Sequence, residues 1–408
     1  MRTAWVHIGL PKTGSTAFQN ALFAKDWGFA VPEPVATSEP KHEPIVAAIL
    51  SQVDGLFDVD RPPPGLGGGA ALDPTEFLWR HLPEHWGADD IARVNHRFDQ
   101  LLASSKDMVI SAEELFHVPA LAGPLVDRLA PAFDRVRVLV VLRDLSEWIP
   151  SQLGQLCQSE SAELDDLVRA GLELGDLYPA FRLRLGPWVK RLGPENIVAM
   201  PYHAPGDAPL LERMFGRLLG AAPVFPAQLR RNVSGSGELI AVMLAMRLTG
   251  LGGSPGLSRV ARMLLSVGGD FGSGALTLTP ERLGQIVAEN HADLEWLEAG
   301  LGSSLRHPPR NPGLPVDSIL GLAETGARLM PDFAHHVAAK LSLDLPDGRD
   351  GPSLPALAEH LAGLTTLPAV PADFDGAHYL RLQPDVAAAK MDPAEHYCHH
   401  GFFEGRRY

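Results

Sequence analysis

The chain has 408 residues, of which 45% are hydrophobic and 21% are charged, and this ordinary globular composition excludes an intrinsically disordered protein. Lys plus Arg number 35 against 49 Asp plus Glu, so the net charge is −14, which argues against a nucleic-acid partner and requires any anionic ligand to meet local positive charge. Two cysteines, Cys157 and Cys398, are too few for a disulfide framework, and we find neither a secretory signal nor an apolar run of about 18 residues, so we expect a cytoplasmic protein without a membrane span.

The chain opens with a strand, a loop and a helix. Thr3 to Leu10 is a short apolar run that is typical of a buried strand, and apolar residues on one face indicate a helix from Gly14 onward. The segment from Val31 to Ala71 follows, and its many Pro and Gly residues indicate an irregular excursion.

Strands and helices alternate through the middle of the chain. We predict helices over 89–105 and 120–132, and strands over 108–111, 136–142 and 196–201. The strand over 136–142 is almost continuously apolar, as in a central parallel strand that is covered on both faces. The alternation predicts an α/β fold with a P-loop-like parallel sheet and helices on both faces, in which the loops at the carboxyl ends of the strands lie together.

The last part of the chain reads mostly as helices. Pro-rich breaks interrupt the helical pattern at His307 to Pro315 and again between Leu345 and Pro371. We therefore predict an α/β domain over residues 1–300, a helical extension and linker over 301–370, and a short helical C-terminal module over 371–408.

The strongest motif is HIGLPKTGSTAFQ, from His7 to Gln19, which places a loop between a strand end and a helix start. The backbone N–H groups of such a loop and the positive end of the helix dipole together bind a phosphate. Gly14 lets the backbone approach the ligand closely. The other candidate ligand-binding residues of the loop are Lys12, Thr13, Ser15 and Thr16.

This loop differs from the loop of nucleotide hydrolases. Gly9 and Gly14 have the spacing of that motif, but Ser15 stands where the motif has its Lys. The sequence therefore indicates a phosphate site that is not a standard ATP loop. The alternative is an ordinary tight turn in which Lys12 is a surface residue.

The second motif is LRDLSEWIPS, from Leu142 to Ser151, directly after the central strand. Arg143 offers a planar fork of donors and Ser151, eight residues later in the next helix, offers a hydroxyl, so both reach one phosphate if the turn folds back. The alternative is a structural salt bridge from Arg143 to Asp144 or Glu147.

A third, weaker element is RRNVS, from Arg230 to Ser234. Two adjacent arginines in an acidic chain are suited to a lid over an anionic nucleotide, and Arg231 is the candidate contact. A solvated basic turn is the alternative.

The loop PKTGST, residues 11–16, is very similar to the 5′-phosphosulfate-binding loop of sulfotransferases that use 3′-phosphoadenosine-5′-phosphosulfate (PAPS). Arg143 and Ser151 have the spacing of that family's 3′-phosphate motif, although Leu145 stands where Pro is common. Arg231 lies in a stretch that resembles the R-x-N-x-S segment of bacterial carbohydrate sulfotransferases. The resemblance covers roughly residues 1 to 300 and implies PAPS as co-substrate, a hydroxyl acceptor and no metal, with Lys12 at the leaving group.

A general base for the acceptor hydroxyl is expected where the strand in MVISAEE ends, at the sheet edge that carries both phosphate motifs. Glu113 and Glu114 are the candidates. In relatives that sulfate sugars a Glu after this strand is the expected base, and the S-A-E alignment selects Glu113. Glu114 is then a first-turn carboxylate that the helix dipole stabilises, although both residues have this role in the alternative interpretation. His7 lies inside a strand and is expected in the core.

The segment from Phe374 to Arg407 resembles a short module that occurs beside bacterial glycosyltransferases, and this association favours a carbohydrate acceptor. Several of its residues imitate metal ligands, as does an earlier pair, His81 and His85, whose helix Pro83 would interrupt. The residues in the module are His396, Cys398, His399 and His400. We predict no metal site in either cluster.

The sequence thus predicts a sulfotransferase that uses PAPS and a hydroxyl acceptor, with a saccharide as the first choice. Two alternatives stay open. A nucleotide-dependent kinase would need a carboxylate that binds Mg²⁺ and a Lys at the usual place in the loop, where this chain has Ser15. A non-catalytic polysaccharide-assembly protein would have kept a degenerate form of the fold. The sequence predicts no oligomeric state.

Overall fold

The computed structural model describes residues 1–32, 43–51, 87–158, 164, 168, 170–203, 208–225, 235–248, 269–310, 313–340, 370, 374–383, 386–387 and 391–398. The chain divides into two compact units, each formed by three segments. The first unit comprises Met1–Trp148, Tyr178–Asn232 and Gln285–His307, and the second comprises Ile149–Leu177, Val233–Gly284 and Pro308–Tyr408.

The first unit contains a sheet of four parallel strands. In chain order the strands are β1 (Thr3–Gly9), β2 (Met108–Ser111), β3 (Arg135–Leu142) and β4 (Ile197–Pro201). Their order across the sheet is β2-β1-β3-β4, and every neighbouring pair is parallel. Because all strands run the same way, their carboxyl ends meet at one edge, and this confirms the predicted parallel α/β sheet.

Helices connect the strands and continue through the rest of the described chain. In chain order they are α1 (Ser15–Phe23), α2 (Glu43–Leu50), α3 (Ala88–Leu102), α4 (Ala122–Leu129), α5 (Leu145–Gln158), α6 (Phe181–Leu192), α7 (Leu210–Leu219), α8 (Gly237–Leu248), α9 (Pro280–Glu289), α10 (His291–Leu301), α11 (Ile319–Lys340), α12 (Gly376–Leu382) and α13 (Pro393–His396).

Both faces of the sheet carry helices because both faces are apolar. On one face Trp5 and Leu139 pack against Phe18 of α1 and Phe215 of α7 in a single buried cluster. Alternate strand residues such as Val138 point to the other face, where α6 contacts β3 and β4. Fully burying one such side chain stabilises the fold by about 1.5–3 kcal/mol, so the sheet holds the loops at its edge firmly.

Two short 3-10 helices lie where the sequence predicted ordinary helical turns. One is Glu113–Phe116, directly after β2, and the other is Pro119–Leu121, after which α4 begins at Ala122. The predicted helix over 120–132 is therefore shorter at both ends. A tight turn with Pro at its start ends before the regular helical periodicity can show in the sequence.

The second unit has a small sheet that the sequence did not reveal. Its strands β5 (Leu276–Leu278) and β6 (Leu314–Val316) are parallel, in a region that we predicted to be mostly helical. Three residues are too few to establish an alternating pattern, and Pro315 inside β6 argues against a strand. The predicted domain boundaries at residues 300 and 370 remain a prediction.

The C-terminal segment has a core of its own. Phe374, Tyr379 and Tyr397 pack together, and the Tyr379 hydroxyl lies 2.9 Å from Nδ1 of buried His396. The side chain of Asp375 accepts hydrogen bonds from the first backbone N–H groups of α12. Among the helices that the structure describes, none has both the length and the apolar character needed to cross a bilayer.

Candidate phosphate-binding and transfer site

The loop between β1 and α1 depends on two residues with left-handed backbone. Gly14 has a φ of 87° and precedes the first helical residue, and Lys12 has a φ of 61°. Glycine adopts this region without strain, but a lysine there costs roughly 1–2 kcal/mol. The strain at Lys12 is maintained because the rest of the loop is firmly held, and strained residues of this kind concentrate at functional sites.

Three successive carbonyl groups fasten the loop to the protein. The Thr13 hydroxyl donates to the carbonyl oxygen of Leu10, the Trp148 indole N–H donates to that of Pro11 at 2.9 Å, and an Arg143 guanidinium N–H donates to that of Lys12 at 3.4 Å. The hydrogen of the Thr13 hydroxyl is thus used within the loop, so the backbone N–H is the donor that Thr13 offers. These hydrogen bonds within the protein fix the shape of the loop, and a loop whose shape is fixed in this way binds a ligand at a lower entropic cost.

The Ser15 hydroxyl is buried and has no hydrogen-bond partner among the described residues. Leaving a buried polar group unpaired costs about 1–3 kcal/mol, so such a group needs an explanation. Ser15 is the first residue of α1, where the helix dipole favours an anion. A bound phosphate would satisfy this hydroxyl, and the neighbouring Thr16 hydroxyl lies on the exposed surface.

Gly9, at the end of β1, lies between the loop and Glu113. A Cβ atom placed on Gly9 would lie 2.4 Å from Ser15 Oγ and 2.8 Å from Glu113 Cγ. The Glu113 side chain therefore packs against the base of the loop, beside the unpaired hydroxyl. Glu114 is the next residue of the same 3-10 helix and is half-buried, as is Glu113.

Arg143 directly follows β3 and is held on three sides. Its Nε donates to Glu147 Oε2 at 3.2 Å, its guanidinium lies 4.8 Å from the centre of the Tyr202 ring, and it contacts the Lys12 carbonyl as described. The alternative salt bridge to Glu147 is therefore present, whereas Asp144 pairs with His307 at 2.8 Å. A guanidinium has five N–H donors, so the ion pair does not prevent Arg143 from binding a phosphate.

Glu147 and His203 extend this arrangement, and the sequence analysis named Glu147 as a possible partner of Arg143 but did not identify His203. The same Glu147 oxygen that accepts from Arg143 lies 2.9 Å from Nε2 of His203, just after β4. The three side chains form a row of cation, carboxylate and imidazole at the carboxyl edge of the sheet. No local sequence pattern predicts that His203 joins this row, because His203 is 56 residues from Glu147 in the chain.

His7 lies inside the sheet, as the sequence predicted. Its Nδ1 is 2.8 Å from the Ser111 hydroxyl, its ring packs against Phe18, and its Nε2 has no partner among the described residues. Burial lowers the pKa of His7 to about 3, so its imidazole is neutral near pH 7. Its hydrogen bond ties the end of β2 to β1.

Ser151 and Arg231 are the remaining residues that the sequence predicted for the donor nucleotide. Ser151 lies on α5 in the segment that belongs to the second compact unit, and Arg231 lies outside the described residues. Within the described ranges, no group of three or more His, Cys, Asp and Glu side chains is arranged to hold a metal ion. His81, His85, His399 and His400 lie outside those ranges.

The topology explains why the loops meet. The chain leaves β1 for β2 on one side of it and then crosses to β3 on the other side, so the strand order reverses between β1 and β3. In parallel sheets, ligands bind outside the carboxyl ends of the strands at such a reversal. The loops that follow β1 and β3 carry Lys12 and Arg143, and these two loops are in contact.

No model of a protein family matches the sequence, and no curated protein matches it. A solved structure, the crystal structure of a sulfotransferase from Alicyclobacillus acidocaldarius, is similar with 15% sequence identity and a TM-score of 0.40. The alignment covers 75% of this chain and 98% of that chain. A likeness at this level carries no inference about the chemistry of this chain.

Proposed function

We propose that this chain is a sulfotransferase that transfers the sulfuryl group of PAPS to a hydroxyl group of a saccharide, in the cytoplasm. The observation that carries the proposal is the contact between Arg143 and the Lys12 carbonyl, across 131 residues of sequence. It joins two loops that each bring a cationic side chain to one sheet edge. PAPS has anionic groups at its 5′ and 3′ positions and matches such a pair of sites.

The loop after β1 is suited to the 5′-phosphosulfate. The backbone N–H groups of Thr13 and Gly14, the Lys12 ammonium and the hydroxyls of Ser15 and Thr16 would hold it, and the unpaired Ser15 hydroxyl supports this fit. Arg143, together with Ser151 and Arg231, is proposed for the 3′-phosphate. When bound, PAPS supplies the activated sulfuryl group.

Two side chains carry the chemistry in this proposal. Glu113 accepts the proton of the acceptor hydroxyl while that oxygen bonds to sulfur, and its packing against Gly9 supports a position beside the reacting groups. Lys12 stabilises the negative charge that develops on the departing phosphate oxygen as the bond from sulfur to that oxygen breaks. The products are a sulfate ester and adenosine 3′,5′-bisphosphate.

Thermal unfolding with nucleotides tests the donor site. A ligand that binds the native state alone stabilises it by about 2.7 kcal/mol at 100 times its dissociation constant, so adenosine 3′,5′-bisphosphate should raise the melting temperature well above the effect of ATP with Mg²⁺. Stronger stabilisation by ATP would establish the kinase alternative instead. Failure of both nucleotides to bind would favour the non-catalytic alternative.

The Arg143→Ala variant sharpens this experiment. It should weaken binding of adenosine 3′,5′-bisphosphate by about 1.5–3 kcal/mol and barely change the binding of adenosine 5′-phosphosulfate, which has no 3′-phosphate. Equal losses for the two ligands would show that Arg143 has only the structural role of fastening the loop. Transfer of radiolabelled sulfate from PAPS to purified polysaccharides would then identify the acceptor.

A further inference from the structure

Glu147 is a half-buried carboxylate beside the arginine that is proposed to bind the 3′-phosphate. Its Oε2 accepts from Nε of Arg143 at 3.2 Å, and 13% of its side chain is exposed. This contact holds the guanidinium in one orientation, but the negative charge of Glu147 also repels a phosphate, and solvent screens a half-buried charge poorly. An anion that binds at Arg143 therefore needs a further positive charge near Glu147.

His203 is placed to supply that charge. Its Nε2 lies 2.9 Å from the same Glu147 oxygen, so that one carboxylate oxygen joins the imidazole to the guanidinium of Arg143. A neutral imidazole with its hydrogen on Nε2 donates to this oxygen, and a second proton on the ring adds a positive charge without breaking the contact. Because 30% of its side chain is exposed, His203 can exchange that proton with solvent.

The backbone around the imidazole is held by the sheet and by α7. Leu142 and Pro201, the last residues of β3 and β4, are paired in the sheet, and the Tyr202 N–H donates to the Leu142 carbonyl at 2.6 Å. The guanidinium of Arg213, on α7, donates to the carbonyls of Pro201 and Tyr202 at 2.8 and 2.5 Å. His203 follows directly, so the sheet and α7 fix the point at which its side chain leaves the backbone.

The other groups around His203 leave Glu147 as its acidic partner. The Tyr202 ring lies edge-on to the imidazole, with 4.8 Å between the ring centres. Asp144, just before the helix that carries Glu147, pairs instead with His307 at 2.8 Å. Among the described residues, the charge of His203 is therefore coupled most directly to that of Glu147.

We propose that Glu147 and His203 are positioning residues of the 3′-phosphate site, in which Glu147 orients the Arg143 guanidinium and His203 takes up a proton as the anion binds. The inference rests on the proposed function, which assigns Arg143 to that phosphate. A negative charge that arrives near the row of Arg143, Glu147 and His203 favours the imidazolium, and the imidazolium in turn favours the anion. The proton moves from solvent to the ring, and no bond of the nucleotide changes.

Proton uptake on binding tests the role of His203. Adenosine 3′,5′-bisphosphate is titrated calorimetrically into the protein at pH 7 in buffers of different ionisation enthalpy, and the dependence of the heat on that enthalpy gives the number of protons bound. His203→Gln retains an N–H donor but cannot be protonated, so it should take up at least about 0.3 proton fewer per nucleotide and bind at least about threefold more weakly. The control is His291→Gln, which breaks an exposed pair with Glu295 on α10 and should match wild type in both quantities.

Glu147→Ala tests the orientation of Arg143. The variant should bind adenosine 3′,5′-bisphosphate at least about fivefold more weakly and adenosine 5′-phosphosulfate within about twofold of wild type, because only the first ligand has a 3′-phosphate. Glu295→Ala is the matched control for the loss of a carboxylate that pairs with a histidine. Equal losses for both ligands in Glu147→Ala would show that Glu147 only holds the loop, and tighter binding of the bisphosphate would show that Glu147 only repels the phosphate.

The inference and the proposed function fail in different ways. Equal proton uptake in wild type and in folded His203→Gln would overturn the inference and leave the proposed function standing. His203→Gln changes a partly exposed ring after β4, so this comparison decides the question even if Glu147→Ala does not fold. Wild-type protein that does not bind adenosine 3′,5′-bisphosphate at all would overturn the proposed function and the inference with it.

Discussion

Lys12 combines a charge that we propose acts in the transfer reaction with a strained backbone, and its substitutions should separate the two effects. Lys12→Gly relieves the left-handed φ of 61° and should raise the free energy of unfolding by roughly 1 kcal/mol relative to Lys12→Ala. Both variants lose the ammonium group, so turnover and affinity for adenosine 3′,5′-bisphosphate should fall in both. Denaturant unfolding and steady-state kinetics measure the two effects. Equal stability of the Gly and Ala variants would show that the backbone stores no strain there.

Glu113 and Glu114 are adjacent half-buried carboxylates, and only one of them is proposed as the base. Glu113→Gln keeps the shape but cannot accept a proton, so turnover should fall about 10²- to 10⁴-fold while nucleotide affinity stays nearly unchanged. Glu114→Gln is the matched control and should stay within a few-fold of wild type. An inactive Glu114→Gln beside an active Glu113→Gln would reassign the base, and full activity in both would place the base elsewhere.

His7 makes stability depend on pH because it is buried as a neutral ring. Its pKa is about 3 in the folded protein and close to 6.5 in the unfolded chain, so the unfolded state binds more protons between these values. The free energy of unfolding should therefore rise with pH between about 3 and 6.5, by up to about 1 kcal/mol per pH unit. Above pH 6.5 His7 is neutral in both states and adds no further pH dependence.

Replacing His7 should remove that slope. His7→Asn retains a polar group near the Ser111 hydroxyl and does not titrate, so its unfolding free energy should vary less with pH than that of wild type. His96→Asn, on the exposed surface of α3, controls for the loss of a histidine. The unfolding free energy is measured by urea titration at several values from pH 4 to 7. If it changed with pH equally in wild type and His7→Asn, the pH dependence would not come from His7.

At the scale of elements, the junction of β1, the loop and the 3-10 helix depends on Gly9. The Gly9→Ala variant should displace either the Ser15 hydroxyl or the Glu113 side chain, since both would lie within 3 Å of the added carbon. If Glu113 is the base as proposed, turnover should fall at least about tenfold, because a small misplacement of a catalytic group is costly. Gly123→Ala in α4 is the control, with open space around the added methyl, and should be neutral or slightly stabilising. Unchanged turnover in Gly9→Ala would argue that Glu113 takes no part in the reaction.

The same junction shows what the sequence could and could not predict. Strand, loop and helix were predictable because apolar runs and the position of Gly14 follow local rules, and β2 was predicted with its observed bounds. The bonds from Trp148 and Arg143 to the loop were not predictable, since they join residues that are 137 and 131 positions apart. The short strands β5 and β6 were not predicted because three residues are too few to show an alternating pattern.

At the scale of the whole molecule, the distribution of charge decides where an anionic ligand can bind. The net charge of the chain is −14, while Lys12 and Arg143 lie on two loops that meet at the carboxyl edge of the sheet. Composition predicted that an anionic ligand must meet local positive charge, but it could not place that charge. Placement depends on which strand ends share an edge, and this follows from the strand order β2-β1-β3-β4.

The C-terminal segment should be removable without loss of the donor site. Its buried cluster consists of Tyr379, Val386, Tyr397 and Cys398, all from within the segment, so its apolar residues are covered by one another. A chain that ends at Val370 should therefore keep the affinity for adenosine 3′,5′-bisphosphate and lose at most a few degrees of melting temperature, where about 1 kcal/mol corresponds to roughly 2–4 °C. Calorimetry and thermal unfolding of the two chains provide the comparison. Tyr379→Ala in the full chain is the matched variant, since it empties the same cluster without shortening the chain. If the shortened chain lost nucleotide binding while Tyr379→Ala kept it, the segment would contribute to the donor site through residues outside its own core.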